Sequence, residues 1–110
     1  MPNVKIYADD SLAAAPVAAL RAALPALRDL LCHRFGVGPD ACQIALVPVA
    51  GLPDQPPVNV ELLILPRPDR TPEAVGAIAA AIRDLAASAA GVRVAVRVEQ
   101  LDPQTYLALK

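Results

Sequence analysis

The second residue carries the chemistry that the rest of the chain must place. Pro2 follows Met1 directly and leads into Asn3-Val4-Lys5-Ile6-Tyr7. There Val4 and Ile6 alternate with Lys5 and Tyr7, the period of a half-buried strand. Removal of Met1 leaves the secondary amine of proline at the mouth of that strand. A terminal amine titrates near ~7.7–8.0. Partial desolvation pushes it further toward its neutral, proton-accepting form, and a general base works best with a pKa close to the working pH. Proline is also common as a second residue, so the dipeptide is a hypothesis that its context has to meet.

The other reactive side chains are few. Cys32 and Cys42 are the only cysteines. Their spacing matches no metal motif, and Cys is often buried, so both read as small core hydrophobes. His33 stands alone near the end of a helical stretch, where the dipole favours a cation. With no second ligand and no nucleophile beside it, no metal centre is expected.

Composition bounds the partners. The chain has 110 residues, enough for one domain, residues 1–110. Apolar residues make up 55% and charged residues 19%. That is more apolar surface than one small core needs, which points to a buried interface between copies. A formal net charge of −1 lacks the basic face that nucleic acid requires. Pro, Arg or Asp interrupts every apolar run well before ~18 residues, so no membrane span is expected. No basic segment followed by an apolar core opens the chain, and the expected compartment is the cytoplasm.

The elements follow in order. Asp9-Asp10-Ser11 is a cluster of N-cap formers, so the first helix is expected to start there or at Pro16. Val17, Leu20, Leu24, Leu27 and Leu31 form one helical stripe. Pro25 within it predicts a kink, and Gly36 with Gly38-Pro39 ends it. The second strand, 42–47, is nearly all apolar, as a strand covered on both faces would be. Pro48 to Pro57 is a stiff connection. The third strand runs from Val58 to Leu65. Pro66-Arg67-Pro68-Asp69-Arg70 is then a stiff turn that displays two guanidiniums. Thr71 is a natural N-cap with Pro72 at the first helical position. The second helix carries Val75, Ile78, Ile82 and Leu85 on one stripe and closes at Gly91. Val92, Val94, Val96 and Val98 share one face of the fourth strand, with Arg93, Ala95, Arg97 and Glu99 on the other. The order strand–helix–strand occurs twice, as pseudo-repeats over 1–50 and 57–100. A duplicated β-α-β unit of the α+β class fits either a ferredoxin-like sandwich or a four-stranded mixed sheet backed by two helices.

The combination of residues resembles the tautomerase superfamily, the relatives of macrophage migration inhibitory factor. Three parts carry the likeness: Met1-Pro2 running into the strand to Tyr7, the Gly36-to-Pro39 turn into Gln43-Ile44-Ala45-Leu46-Val47-Pro48, and the block from Val58 to Glu99. The resemblance implies a homotrimer with sites between subunits. It also implies Pro2 as the base that moves a proton between carbon and oxygen of an enol or α-keto acid, without metal or cofactor. The chain departs from the family pattern in three places. Val37 stands roughly where a substrate-binding lysine is expected, Asp10 or Ser11 where some members have arginine, and Arg93 at an aromatic position. A carboxylate clamp would then come from other arginines, with Arg67, Arg93 and Arg97 as candidates. The strand-four arginines equally suit an interface or channel lining paired with Glu99. Tyr106 is either a donor to a developing enolate or a packed tail aromatic. Beside the catalytic reading stand a non-catalytic trimeric scaffold of the same fold and a ferredoxin-like small-ligand domain.

Overall fold

In the computed structural model, which describes residues 2–110, two β-α-β units share one sheet. The first comprises β1 (Asn3–Asp9), α1 (Ala14–Phe35) and β2 (Gln43–Val49). The second comprises β3 (Val58–Ile64), α2 (Pro72–Ala90) and β4 (Val94–Gln100). A short 3-10 turn over Pro39–Ala41 leads into β2. The strand order is β2-β1-β3-β4. Each unit pairs its own strands in parallel, and the units join antiparallel through β1 and β3.

Alternation sets the two faces. Val4, Ile6 and Ala8 of β1 and Val58, Val60, Leu62 and Ile64 of β3 are buried, and the helices supply Leu20, Leu27, Leu31, Phe35, Ile78 and Ile82 to the same core. The opposite face is half-open. It carries the register row Ala45–Lys5–Glu61–Arg97, whose central charges alternate in sign.

Local signals account for most boundaries. The Thr71 hydroxyl accepts from the Ala74 amide at 3.2 Å and caps α2. Gly36 and Gly91 end the helices at φ of 65° and 68°, where a side chain would be strained. Two expectations change, at the start of α1 and in β2. The N-cap of α1 is Ala13, with no side-chain cap, because Asp9 spends its carboxylate on Ser11 and on the Gly51 amide. Pro25, where a kink is expected, sits on the exposed side of α1 within the span Ala14–Phe35. β2 is an edge strand, half-buried on both faces rather than covered, and it extends through Pro48. No helix among the described residues is long and apolar enough to cross a membrane.

Candidate functional site

Register fixes what surrounds Pro2. Asn3 pairs with Gln43 on one side and Leu63 on the other. Pro2 therefore lies between Cys42 and Ile64, and Ile64 pairs onward with Gln100. The Pro2 carbonyl accepts from the Gln43 amide at 3.0 Å. Its ring has the parity of Val4 and is fully buried. Burial of a free amine at this point would favour the neutral base. Met1, whose removal that chemistry requires, lies outside the described residues.

Arg70 reaches the same end of the sheet from the β3–α2 connection. It is the buried charged residue of the chain among those described, at 6% exposure. Its Nη1 donates to the Leu65 carbonyl at 2.5 Å, one residue beyond the strand position opposite Pro2. Its guanidinium lies 5.0 Å from the centroid of Phe35, the last residue of α1, in cation–π geometry. Its Nε is buried without a partner. Desolvation, helped by the nearby Arg67 and opposed by Asp69, lowers its pKa. A buried guanidinium with one donor unspent is an incompletely satisfied charge.

The sequence had both arginines of the turn displayed to solvent, which holds for Arg67 alone. Arg67 is exposed, with Nε 3.7 Å from the Asp69 carboxylate. Arg70 immediately precedes the N-cap Thr71, the place from which a hydrophobic side chain often packs back on the fourth helical residue. That position was the signal that could have found it.

The other candidates are dispersed within the chain. Arg93 is exposed and precedes β4 at the opposite end, because Val94 pairs with Val58 and Val58 with Ala8. Arg97 projects from the open face and donates to Asn59 Oδ1 at 2.5 Å rather than to Glu99. Tyr106 is half-buried in the tail, and its amide donates to the Asp102 carbonyl at 2.9 Å. Cys42 is buried beside Pro2 and Cys32 half-buried, both as free thiols. Burial first, then contact with Cys32, pushes the Cys42 thiol up to about 11. No cluster of metal-ligating side chains occurs among the described residues. A cleft of about 450 Å³ runs between β4 and the small residues Gly76, Ala79 and Ala80 of α2. A smaller cavity of about 140 Å³ lies at the far end, against Asp10, Leu12 and Arg21.

No protein-family model and no curated protein matches the sequence. Solved structures do match the fold. A protein of unknown function from Vibrio cholerae superposes with a TM-score of 0.75 at 18% identity, over 97% of this chain and 83% of that one. A fused 4-OT, solved as an asymmetric trimer, gives 0.74 at 14% identity, over 96% and 91%. A macrophage migration inhibitory factor-like protein from Entamoeba histolytica gives 0.69 at 10% identity, over 97% and 94%. The chain therefore has the fold of the tautomerase superfamily.

Proposed function

We propose that the chain is a keto–enol tautomerase or isomerase in which Pro2, freed of Met1, is the general base. The observation that carries this reading is that Pro2, opposite Ile64, and the buried Arg70, on the Leu65 carbonyl with Nε unspent, lie at the same end of the sheet. Arg70 anchors the carboxylate of an α-keto or enol acid. The Pro2 nitrogen takes a proton from the enol oxygen and returns it to carbon, and the same steps run backwards from the keto form. Neither step needs a metal or a cofactor. The trimeric state of the fused 4-OT neighbours and the half-covered edge strand β2 support a homotrimer. In such an assembly Arg93, Arg97 or Tyr106 of a second copy could complete the site; Arg67 already shares the turn that holds Arg70. A cytoplasmic setting suits this chemistry.

The test starts from the mass of the native N-terminus, which should lack Met1. The processed protein should ketonise the enol of phenylpyruvate with a pH profile governed by one basic group. Pro2→Ala should cost on the order of 10²–10⁴ in rate. Undiminished turnover by that variant sinks the reading. The full burial of the Pro2 ring favours a second reading, a trimeric scaffold without chemistry. Retention of Met1 together with no α-keto acid binding would establish it.

A further inference from the structure

The tail is tied down on both sides of the candidate site. Gln100, Ile64, Pro2 and Cys42 form one row over the end of the sheet, from the edge strand β4 to the edge strand β2. The segment 101–110 starts at one end of this row and finishes at the other. Its first residue is fixed where β3 ends, since the Leu101 amide donates to the Ile64 carbonyl at 2.8 Å. Gln100 Nε2 donates to the Arg70 carbonyl at 3.3 Å. A turn then folds Tyr106 back onto Asp102. Beyond that turn the described hydrogen bond is the donation from Lys110 Nζ to the Asp40 carbonyl at 3.2 Å, just ahead of β2. Three strand spacings amount to roughly 14–15 Å, a distance that residues 107–110 and the lysine side chain help to cover. The straight path between these points runs past the end of β1, where Pro2 lies. Leu107 and Leu109 are 76% and 87% exposed, so the segment is held by its two anchors and not by packing of its leucines.

We propose that residues 107–110 form a strap over the Pro2 end of the sheet, latched by Lys110 on the Asp40 carbonyl, which must lift before a substrate carboxylate reaches Arg70. The strap regulates the site proposed above and so rests on that reading. Breaking the latch costs one exposed hydrogen bond, worth little against water, and lifting the strap buries nothing and unpacks little. Its position is therefore set by whatever occupies the end of the sheet.

The experiment compares the full chain with a chain ending at Tyr106 and with Lys110→Ala, each first shown to melt cooperatively. Cys42 sits in the covered row beside Pro2, and its alkylation by iodoacetamide, mapped by peptide mass, reports the strap without reference to catalysis. Cys32, on α1, is the internal standard. The Cys42-to-Cys32 labelling ratio should rise several-fold on deletion and by a smaller factor in Lys110→Ala. kcat/KM for the enol of phenylpyruvate should rise with it. An unchanged ratio, or a kcat/KM that falls on deletion, overturns the strap. A raised ratio with no turnover in any form leaves the strap standing and removes the tautomerase reading instead.

Discussion

The two ends of the sheet treat a charge in opposite ways. Where β1 finishes, the exposed end holds Asp9, whose carboxylate accepts from the Ser11 hydroxyl and amide and from the Gly51 amide at 2.6 Å. Those bonds, the Ser11 hydroxyl first, hold its pKa below the usual carboxylate value. Where β1 begins, Arg70 is buried and has a donor left over. Asp9 ties the α1 connection to the loop before β3, and its hydrogen-bonding capacity goes into that tie. Arg70 bears the cost of leaving water without being fully repaid inside. A charge whose bonds are all met within the chain is explained by the fold. A buried charge with an open donor asks for a partner from outside.

Substitutions should separate the two. The largest effect is expected from Arg70→Leu, which removes a charge-assisted contact worth about 1.5–3 kcal/mol. Binding of an α-keto carboxylate, followed by titration calorimetry, should weaken by roughly 10–150-fold, a value that follows from that energy. Melting should hold or rise, since an apolar side chain of similar reach removes an unsatisfied group. A collapse of stability with unchanged binding would make Arg70 a structural residue like Asp9. Arg70→Lys should not restore binding, because an ammonium lacks the planar fork.

A smaller effect is expected at the other end, and it should be confined to stability. Asp9→Asn should lower Tm and leave enol turnover unchanged. The sign with pH follows from the depressed pKa of Asp9. Its stabilisation is fully present above the unfolded carboxylate value of ~3.9 and is lost as pH falls through the folded one. The Tm difference between wild type and Asp9→Asn should therefore be constant near neutrality and close below about pH 4. A difference that persists unchanged at lower pH would show that the carboxylate's charge is not what the loop uses. The smallest effect is expected at the N-cap beside Arg70. Thr71→Ala should cost about 1 kcal/mol in urea unfolding, with a modest rise in KM as the turn that aims Arg70 loosens.

Most of the scaffold was legible because it is local. The Val92-to-Val98 alternation, the Thr71-Pro72 start and the Gly91 stop each depend on near neighbours, and the second β-α-β unit follows from them. The errors arose where distant residues compete. Asp9 looks like an N-cap until Gly51, far along the chain, claims its carboxylate. An apolar second strand looks covered on both sides, but hydrophobicity does not record whether the cover comes from the same chain. Pro2 was singled out from its position alone, and the register then sets it between Cys42 and Ile64. Arg70 was placed on the surface because a turn rich in Pro and Asp suggests solvent, whereas its guanidinium folds back onto the Leu65 carbonyl and the Phe35 ring. Arg93 and Arg97 share a strand face in sequence, yet no spacing within one strand reveals which end of the sheet Pro2 occupies.

Pro48 limits what can join the outer rim of β2. The Gln43 amide and the Val49 carbonyl both point toward β1, so by alternation Ile44, Leu46 and Pro48 turn their backbones outward. Proline has no hydrogen to offer. The rim thus presents donors at Ile44 and Leu46 and then falls silent, wide enough to grip a short neighbouring strand and too brief to template an endless ribbon. A proline at that place blunts the edge strand against open-ended pairing.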